Sequence, residues 1–183
     1  QMLGDEYEPF LASYDQPAAR GLRVNLLKAG PELTLPFPTS PVEWCPTGHR
    51  YSGELRPGLH PWHDAGVYYI QEPSAMAVAE IAAPQPGERV LDLCAAPGGK
   101  TSHLASLAGD QCLLISNEIH PQRARILSRN VERMGICNAA VLNETPDRLA
   151  ERFSSFFDCI VVDAPCSGEG MFRKEPVALE EWS

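Results

Sequence analysis

The stretch from Gln71 to Val162 alternates short apolar runs with helical patterns, and this alternation restricts the fold more than any other feature of the chain. Pro73-Ser74 offers a helix cap, and the helical pattern continues from Ala75 to Ala83. Pro84-Gln85-Pro86-Gly87 breaks it as a turn. Arg89 to Cys94 then reads as a strand, Lys100 to Ala108 as a helix, and Cys112 to Ser116 as a second strand. Pro121 opens a helix with Ala124, Leu127, Val131 and Met134 as its apolar stripe, and Gly135 ends it. Ala139 to Leu142 is a third short strand and Phe157 to Val162 a fourth. Strands alternating with helices need crossover connections and hence a parallel sheet, so the expected class is α/β. Ligands of such sheets sit at the C-terminal ends of the strands, near the switch in strand order.

The N-terminal part has a different texture. Residues 1–15 predict an amphipathic helix with Leu3, Tyr7, Phe10, Leu11 and Tyr14 on one face. Gly21 to Leu27 reads as a strand, and Val67 to Ile70 as another. Between Gly30 and Pro61 the chain is rich in Pro and Gly, with Trp44 and Tyr51 as isolated anchors. We therefore expect a small N-terminal α+β subdomain over 1–66 and a second domain over 67–183. The chain's 183 residues, 44% hydrophobic and 21% charged, suit a folded globular protein and disfavour a disordered one. No run of 18 apolar residues is present, which excludes a spanning helix, and no signal peptide is visible. The opening Gln1-Met2-Leu3 does not resemble a natural start, which points to a segment before it.

A net charge of −9 argues against indiscriminate binding to nucleic acid, which needs clustered Lys and Arg. Of the six cysteines, none forms a CxxC pair, and no paired His spacing accompanies them, so no metal site is expected. Cys94, Cys112 and Cys159 lie in apolar runs and read as buried, reduced thiols of a cytoplasmic protein.

Three loops carry the chemistry. The first strand runs into Asp92-Leu93-Cys94-Ala95-Ala96-Pro97-Gly98-Gly99-Lys100-Thr101, a turn whose glycines admit a ligand close to the backbone. A dinucleotide fingerprint is absent, and a phosphate-wrapping loop would need Gly where Cys94 stands. An S-adenosylmethionine loop and a turn that merely packs remain. Glu118, just past the second strand, has the place of a carboxylate that accepts both ribose hydroxyls, although a surface Glu there is also common. The fourth strand ends in Asp163-Ala164-Pro165-Cys166-Ser167-Gly168, setting a carboxylate at the ligand edge of the sheet with Cys166 three residues on. Turn capping by Asp163 and plain burial of Cys166 are the bland alternatives.

Taken together, Asp92 to Thr101 and Asp163 to Gly168 resemble the RNA 5-methylcytosine methyltransferase family of Sun/Fmu type. Gly66 to Met76 resembles that family's motif before the cofactor domain, and Arg23-Val24-Asn25 its N-terminal signature. The extension Glu169-Gly170-Met171-Phe172-Arg173-Lys174 is similar to that of bacterial members acting on small-subunit ribosomal RNA. The likeness covers essentially the whole chain. It implies a Rossmann-like class I S-adenosylmethionine methyltransferase fold, truncated after about strand 4.

The resemblance also implies roles. Cys94, Ala95, Ala96, Pro97, Gly98, Gly99 and Lys100 would line the methionine and sulfonium of S-adenosylmethionine. Glu118 would hold the ribose, and Arg123 would lie near the adenosine. Asn143 to Thr145 takes the place of a third cofactor loop, where relatives often have Asp and this chain has none before Asp147. Asp163 would sit between cofactor and base, contacting both, and Cys166 would assist product release. The attacking cysteine belongs to a later Thr-Cys-Ser/Thr motif that these residues lack, so the chain is expected to bind cofactor without efficient turnover. Arg173 and Lys174 are favoured for RNA phosphate over the arginines of the helix from Pro121, which also read as a solvated face. The implied partner is ribosomal RNA or the small ribosomal subunit. Strand 157–162 would be left as an apolar edge, which promotes self-association. A module of the same fold that binds RNA or the ribosome without catalysis is the alternative.

Overall fold

The computed structural model describes residues 3–16, 18–30 and 32–165. One compact unit spans Arg20–Ala164, and a second comprises Gln1–Ala19 with Pro165–Ser183. In the second unit, the helix expected over 1–15 is α-helical only at α1 (Tyr7–Ala12), with a 3-10 turn on either side.

Two sheets build the larger unit. The first contains β1 (Gly21–Val24), β2 (Ser40–Val42), β3 (Cys45–Arg50) and β4 (Tyr68–Ile70), in the order β2-β3-β1-β4 and antiparallel throughout. The expected boundary at 66/67 falls just before β4, which pairs back onto β1; the N-terminal sheet therefore extends past it. The short α2 (Pro61–Asp64) precedes β4.

The second sheet is parallel, as the alternation required: β5 (Arg89–Asp92), β6 (Leu113–Asn117), β7 (Ala139–Leu142) and β8 (Cys159–Val161) lie in the order β7-β6-β5-β8. The order switches beside β5, because successive crossovers run from β5 to β6 to β7 and the chain then returns across the sheet to β8. Between the strands lie α4 (Gly99–Ala108), α5 (Pro121–Met134) and α6 (Pro146–Arg152). Ahead of β5, α3 (Pro73–Ala82) starts two residues earlier than the Ala75 expected from the sequence. Pro73 is its first residue, Glu72 takes the cap position and Ser74 lies inside, because proline's fixed φ already suits the first helical turn.

Strand alternation divides the side chains between two faces. Val90 and Leu114 join Leu104, Ala105, Leu127, Val131 and Met134 in one core, which also takes in Tyr69 of β4. Leu91 and Ile160 line the opposite face, a groove of about 380 Å³ shared with Leu149 and Phe153. Among the described strands β8 is an edge, paired only with β5, and Ile160 and Val162 are each 55% exposed. Among the described residues no helix is long and apolar enough to cross a membrane. Cys112 is buried as expected, whereas Cys94 and Cys159 are only half-buried: Cys94 lies in the turn after β5, and Cys159 is the first residue of the edge strand β8.

The residues of β1 and its continuation lock the two sheets together. Buried Asn25 donates through Nδ2 to the carbonyls of Gly66 at 2.9 Å and Met134 at 2.8 Å. Lys28 Nζ donates to Ala65 O at 2.8 Å and Arg133 O at 2.7 Å. These carbonyls lie at the C-terminal ends of α2 and α5, where helix geometry leaves them without intrahelical partners.

Candidate functional site

The loop after β5 is held from several sides before any ligand is considered. Ala95 N donates to Asn117 O at 2.8 Å, Asn130 Nδ2 to Pro97 O at 2.8 Å, and Arg123 Nη2 to Ala96 O at 2.9 Å. Gly98 caps α4 with φ at 110°, a region costly for any side chain. At Gly99 the constraint is space: an added Cβ would lie 3.3 Å from Tyr69 Cε1 and 3.4 Å from Gln71 Nε2. The two glycines therefore bring the backbone of the loop and the start of α4 close to whatever occupies the cleft.

Beneath the loop lies Asp92, fully buried. Thr101 donates its hydroxyl to Oδ2 at 2.7 Å, and Oδ1 has no hydrogen-bond partner among the described residues. Burial pushes this carboxyl up to about 6, against the opposing pull of the Thr101 hydrogen bond.

Cys94, Ala95, Ala96, Pro97, Gly99, Lys100 and Asp163 meet around one cleft of about 250 Å³. Gly98 lies within the same loop. Lys100 Nζ donates to Asp163 Oδ2 at 2.6 Å, so the two loops noted in the sequence are joined by a charge-assisted bond. The far wall is Tyr69, Ile70, Gln71, Glu72 and Ala75. None of these five was assigned to the site from sequence, although Gly66 to Met76 had been marked as a motif.

Glu118 and Arg123 stand beside this cleft and not in its lining. Glu118 is 2% exposed; its Oε1 accepts His120 N at 2.9 Å, and its Oε2 lies 3.4 Å from Arg123 Nη1. Arg123 also borders a shallow pocket with His120, Pro121 and Gln122. Asn143 Nδ2 donates to Glu118 O at 2.6 Å and Ile119 O at 2.9 Å, so the loop at 143–145 supports the end of β6. Cys166, Arg173 and Lys174 lie outside the described residues. Of the arginines on α5, Arg133 is taken up by His63 O and Asn130, while Arg125 and Arg129 are exposed.

A second polar cluster, formed by residues outside the cleft lining, has no counterpart in the sequence motifs. The donor atoms of Cys45, Glu80 and His103 lie within 4.8 Å of one another. His103 Nε2 is 3.0 Å from Glu80 Oε1 and 3.8 Å from Cys45 Sγ. Burial and the charge of Arg23 drive the imidazole down to about 2, so it is neutral. The same buried guanidinium opposes a cation among these three donors.

Comparison with known proteins adds the following. Residues 79–180 match the family described as 16S rRNA methyltransferase RsmB/F, and residues 1–73 match the N-terminal domain of 16S rRNA methyltransferase RsmF. A ribosomal RNA small subunit methyltransferase F from Enterobacter sp. (strain 638) is 38% identical over 97% of this chain and 39% of its own length. The namesake protein of Escherichia coli O127:H6 is 36% identical over 97% of this chain and 40% of its own. The chain thus spans about two fifths of the length of these curated relatives. A methyltransferase homolog from Pyrococcus horikoshii superposes with a TM-score of 0.82 at 29% identity, over 97% of this chain and 60% of that one. Pyrococcus horikoshii NSun6 shares the fold with a TM-score of 0.75 at 17% identity, over 90% of this chain and 67% of that one.

Proposed function

The chain belongs to the 16S rRNA methyltransferase RsmB/F family, and on that premise we propose that the whole protein methylates carbon 5 of a cytosine in small-subunit ribosomal RNA in the cytoplasm. The cofactor is S-adenosylmethionine, which when bound supplies an electrophilic methyl group. The convergence of residues 94–100 with Asp163 on one cleft supports this reading most directly. The residues present suit the cofactor: two glycines open the loop, and a buried carboxylate oxygen of Asp92 beneath it is still unpaired.

On this reading the 94–100 loop lines the methionine portion, Glu118 accepts hydrogen bonds from the ribose hydroxyls, and Arg123 braces Glu118 near the adenosine. Asp163, held by Lys100, faces the target base: as a carboxylate it accepts a hydrogen bond from the amino group, and as a carboxylic acid it donates to ring nitrogen 3 and spreads the negative charge that develops on the ring. A cysteine thiolate must add to carbon 6 to make carbon 5 nucleophilic, and it departs once the carbon-5 proton is removed. No Thr-Cys-Ser or Thr-Cys-Thr occurs in these 183 residues, so that thiolate is assigned to another part of the whole protein. Cys166 assists product release, and Arg173 and Lys174 contact RNA phosphate. Residues 1–66, whose sheet β4 completes, serve as a family-specific subdomain, and the chain from 67 to 183 as the cofactor-binding domain. Association of two copies through the β8 edge belongs to the same proposal and is read by light scattering across a dilution series.

The test is thermal unfolding with ligand. S-adenosylhomocysteine at about a hundred times its dissociation constant should stabilise this chain by roughly 2.7 kcal/mol, and ATP should not. A shift with ATP, or none with S-adenosylhomocysteine, overturns the reading. Radiolabelled methyl transfer to small ribosomal subunits is expected from the whole protein and only at background from residues 1–183.

A further inference from the structure

The cleft has one wall whose chemistry the proposed function has not used. Gln71 follows β4 and is 8% exposed, with its amide set against Gly99 at the start of α4. Its Oε1 accepts a hydrogen bond from Arg23 Nε at 3.2 Å. A guanidinium only donates, so this contact fixes which way the amide faces: the oxygen turns inward to Arg23, and the NH2 group is left on the other side. Nε2 donates to Ala75 O at 3.5 Å, the limit of a hydrogen bond, and its second hydrogen has no partner among the described residues. Arg23 is itself held, since Nη2 donates to Ser102 Oγ at 2.9 Å in the first turn of α4.

Two sources of positive potential thus border the cleft, the Gln71 amide hydrogens and the unpaired N–H groups at the start of a ten-residue helix, while the Lys100 ammonium on the same lining is paired with Asp163. A ligand group that fits there is an anionic acceptor. Resting on the proposed function, we propose that Gln71 Nε2 donates a hydrogen bond to the carboxylate of the cofactor's amino-acid arm, and that Arg23 is the positioning residue that holds the amide in the donating orientation.

The experiment is calorimetric titration of this chain with two nucleosides: S-adenosylhomocysteine, which carries the amino-acid arm, and 5′-methylthioadenosine, which lacks it. Gln71→Glu keeps an oxygen for Arg23 but replaces the donor with an acceptor, and Gln71→Met serves as a second variant if the first does not fold. Either should weaken S-adenosylhomocysteine about tenfold or more, as the loss of one charge-assisted hydrogen bond requires, and leave methylthioadenosine within about twofold. Arg23→Lys should also weaken the first nucleoside selectively, and its effect should not add to that of Gln71→Met. Unchanged S-adenosylhomocysteine affinity in a folded Gln71 variant overturns the proposal. Equal losses for both nucleosides, or additive effects in the double variant, reduce Arg23 and Gln71 to a structural role and overturn it as well. If the unaltered chain binds neither nucleoside, the proposed function falls and takes this inference with it.

Discussion

Asp92→Asn isolates the electrostatic cost of the carboxylate beneath the loop. The native carboxyl is raised from 3.8 to about 6 because burial penalises its charged form, and only Thr101 pairs with it directly. At about 1.4 kcal/mol per pH unit this corresponds to about 3 kcal/mol. The sign follows from proton counting. Between pH 3.8 and about 6 the folded chain holds more protons on this group than the unfolded chain does, so its stability falls as pH rises through that window. Above pH 6 the full penalty is present; below pH 3.8 it is gone. Asparagine cannot ionise and still offers Thr101 an acceptor, but its NH2 group takes the position where Oδ1 has no partner, at a pH-independent cost of about 1–3 kcal/mol. The quantity to measure is therefore the difference in urea-unfolding free energy between variant and unaltered chain at pH 4 and at pH 7.5. That difference should move in favour of the variant by about 2.4 kcal/mol, because at pH 4 about 0.6 kcal/mol of the penalty is already present. A difference constant with pH to within about 0.5 kcal/mol would show that Asp92 ionises normally in the fold and would refute the reasoning.

Asn25→Ala removes the donor of two buried carbonyls, Gly66 and Met134, and should cost about 3 kcal/mol in urea unfolding; a loss below about 1 kcal/mol would mean that water replaces it. Asp163→Asn, at a side chain 63% exposed, should leave the melting temperature within about a degree while lowering methyl transfer by the whole protein at least a hundredfold. Elemental analysis of the purified chain should find no stoichiometric zinc; one zinc per chain, lost on Cys45→Ser, would show that the Cys45, Glu80 and His103 cluster binds metal despite Arg23.

Local signals carried much of this fold. The parallel sheet was legible because α5 has a clean apolar stripe between Pro121 and Gly135, and because each strand is a short apolar run bounded by turn residues. The ends of the strands shifted by a residue or more, as at β6, which reaches Asn117, and β8, which covers only Cys159–Val161. Hydrogen-bonded pairing sets those ends, and apolar content alone does not. The cleft was half legible. Residues 94–100 and Asp163 were marked because glycine-rich turns and strand-end carboxylates are local patterns. Gln71 and Arg23 were not assigned to it, because neither shows a local pattern of ligand binding and their contact spans 48 residues of sequence.

The Arg23-Val24-Asn25 signature shows why such contacts escape a linear reading and yet matter. A charged residue inside a buried strand contradicts the alternation rule, and the cost is real: desolvation drives the Arg23 guanidinium down to about 10, and its Nη1 has no partner among the described residues. A strand that served packing alone would be more stable with an apolar residue there. Methionine at this position would be about as long and would need no counter-charge, but it could not donate to Gln71 and Ser102. What Arg23 adds is a fixed link from β1 to the far wall of the cleft and to the first turn of α4, while Asn25, two residues on, links the same strand to the end of α5. The N-terminal sheet is thereby built into the walls of the cleft at the 94–100 loop, so a substitution in β1 far from that loop is expected to reach ligand affinity as well as stability.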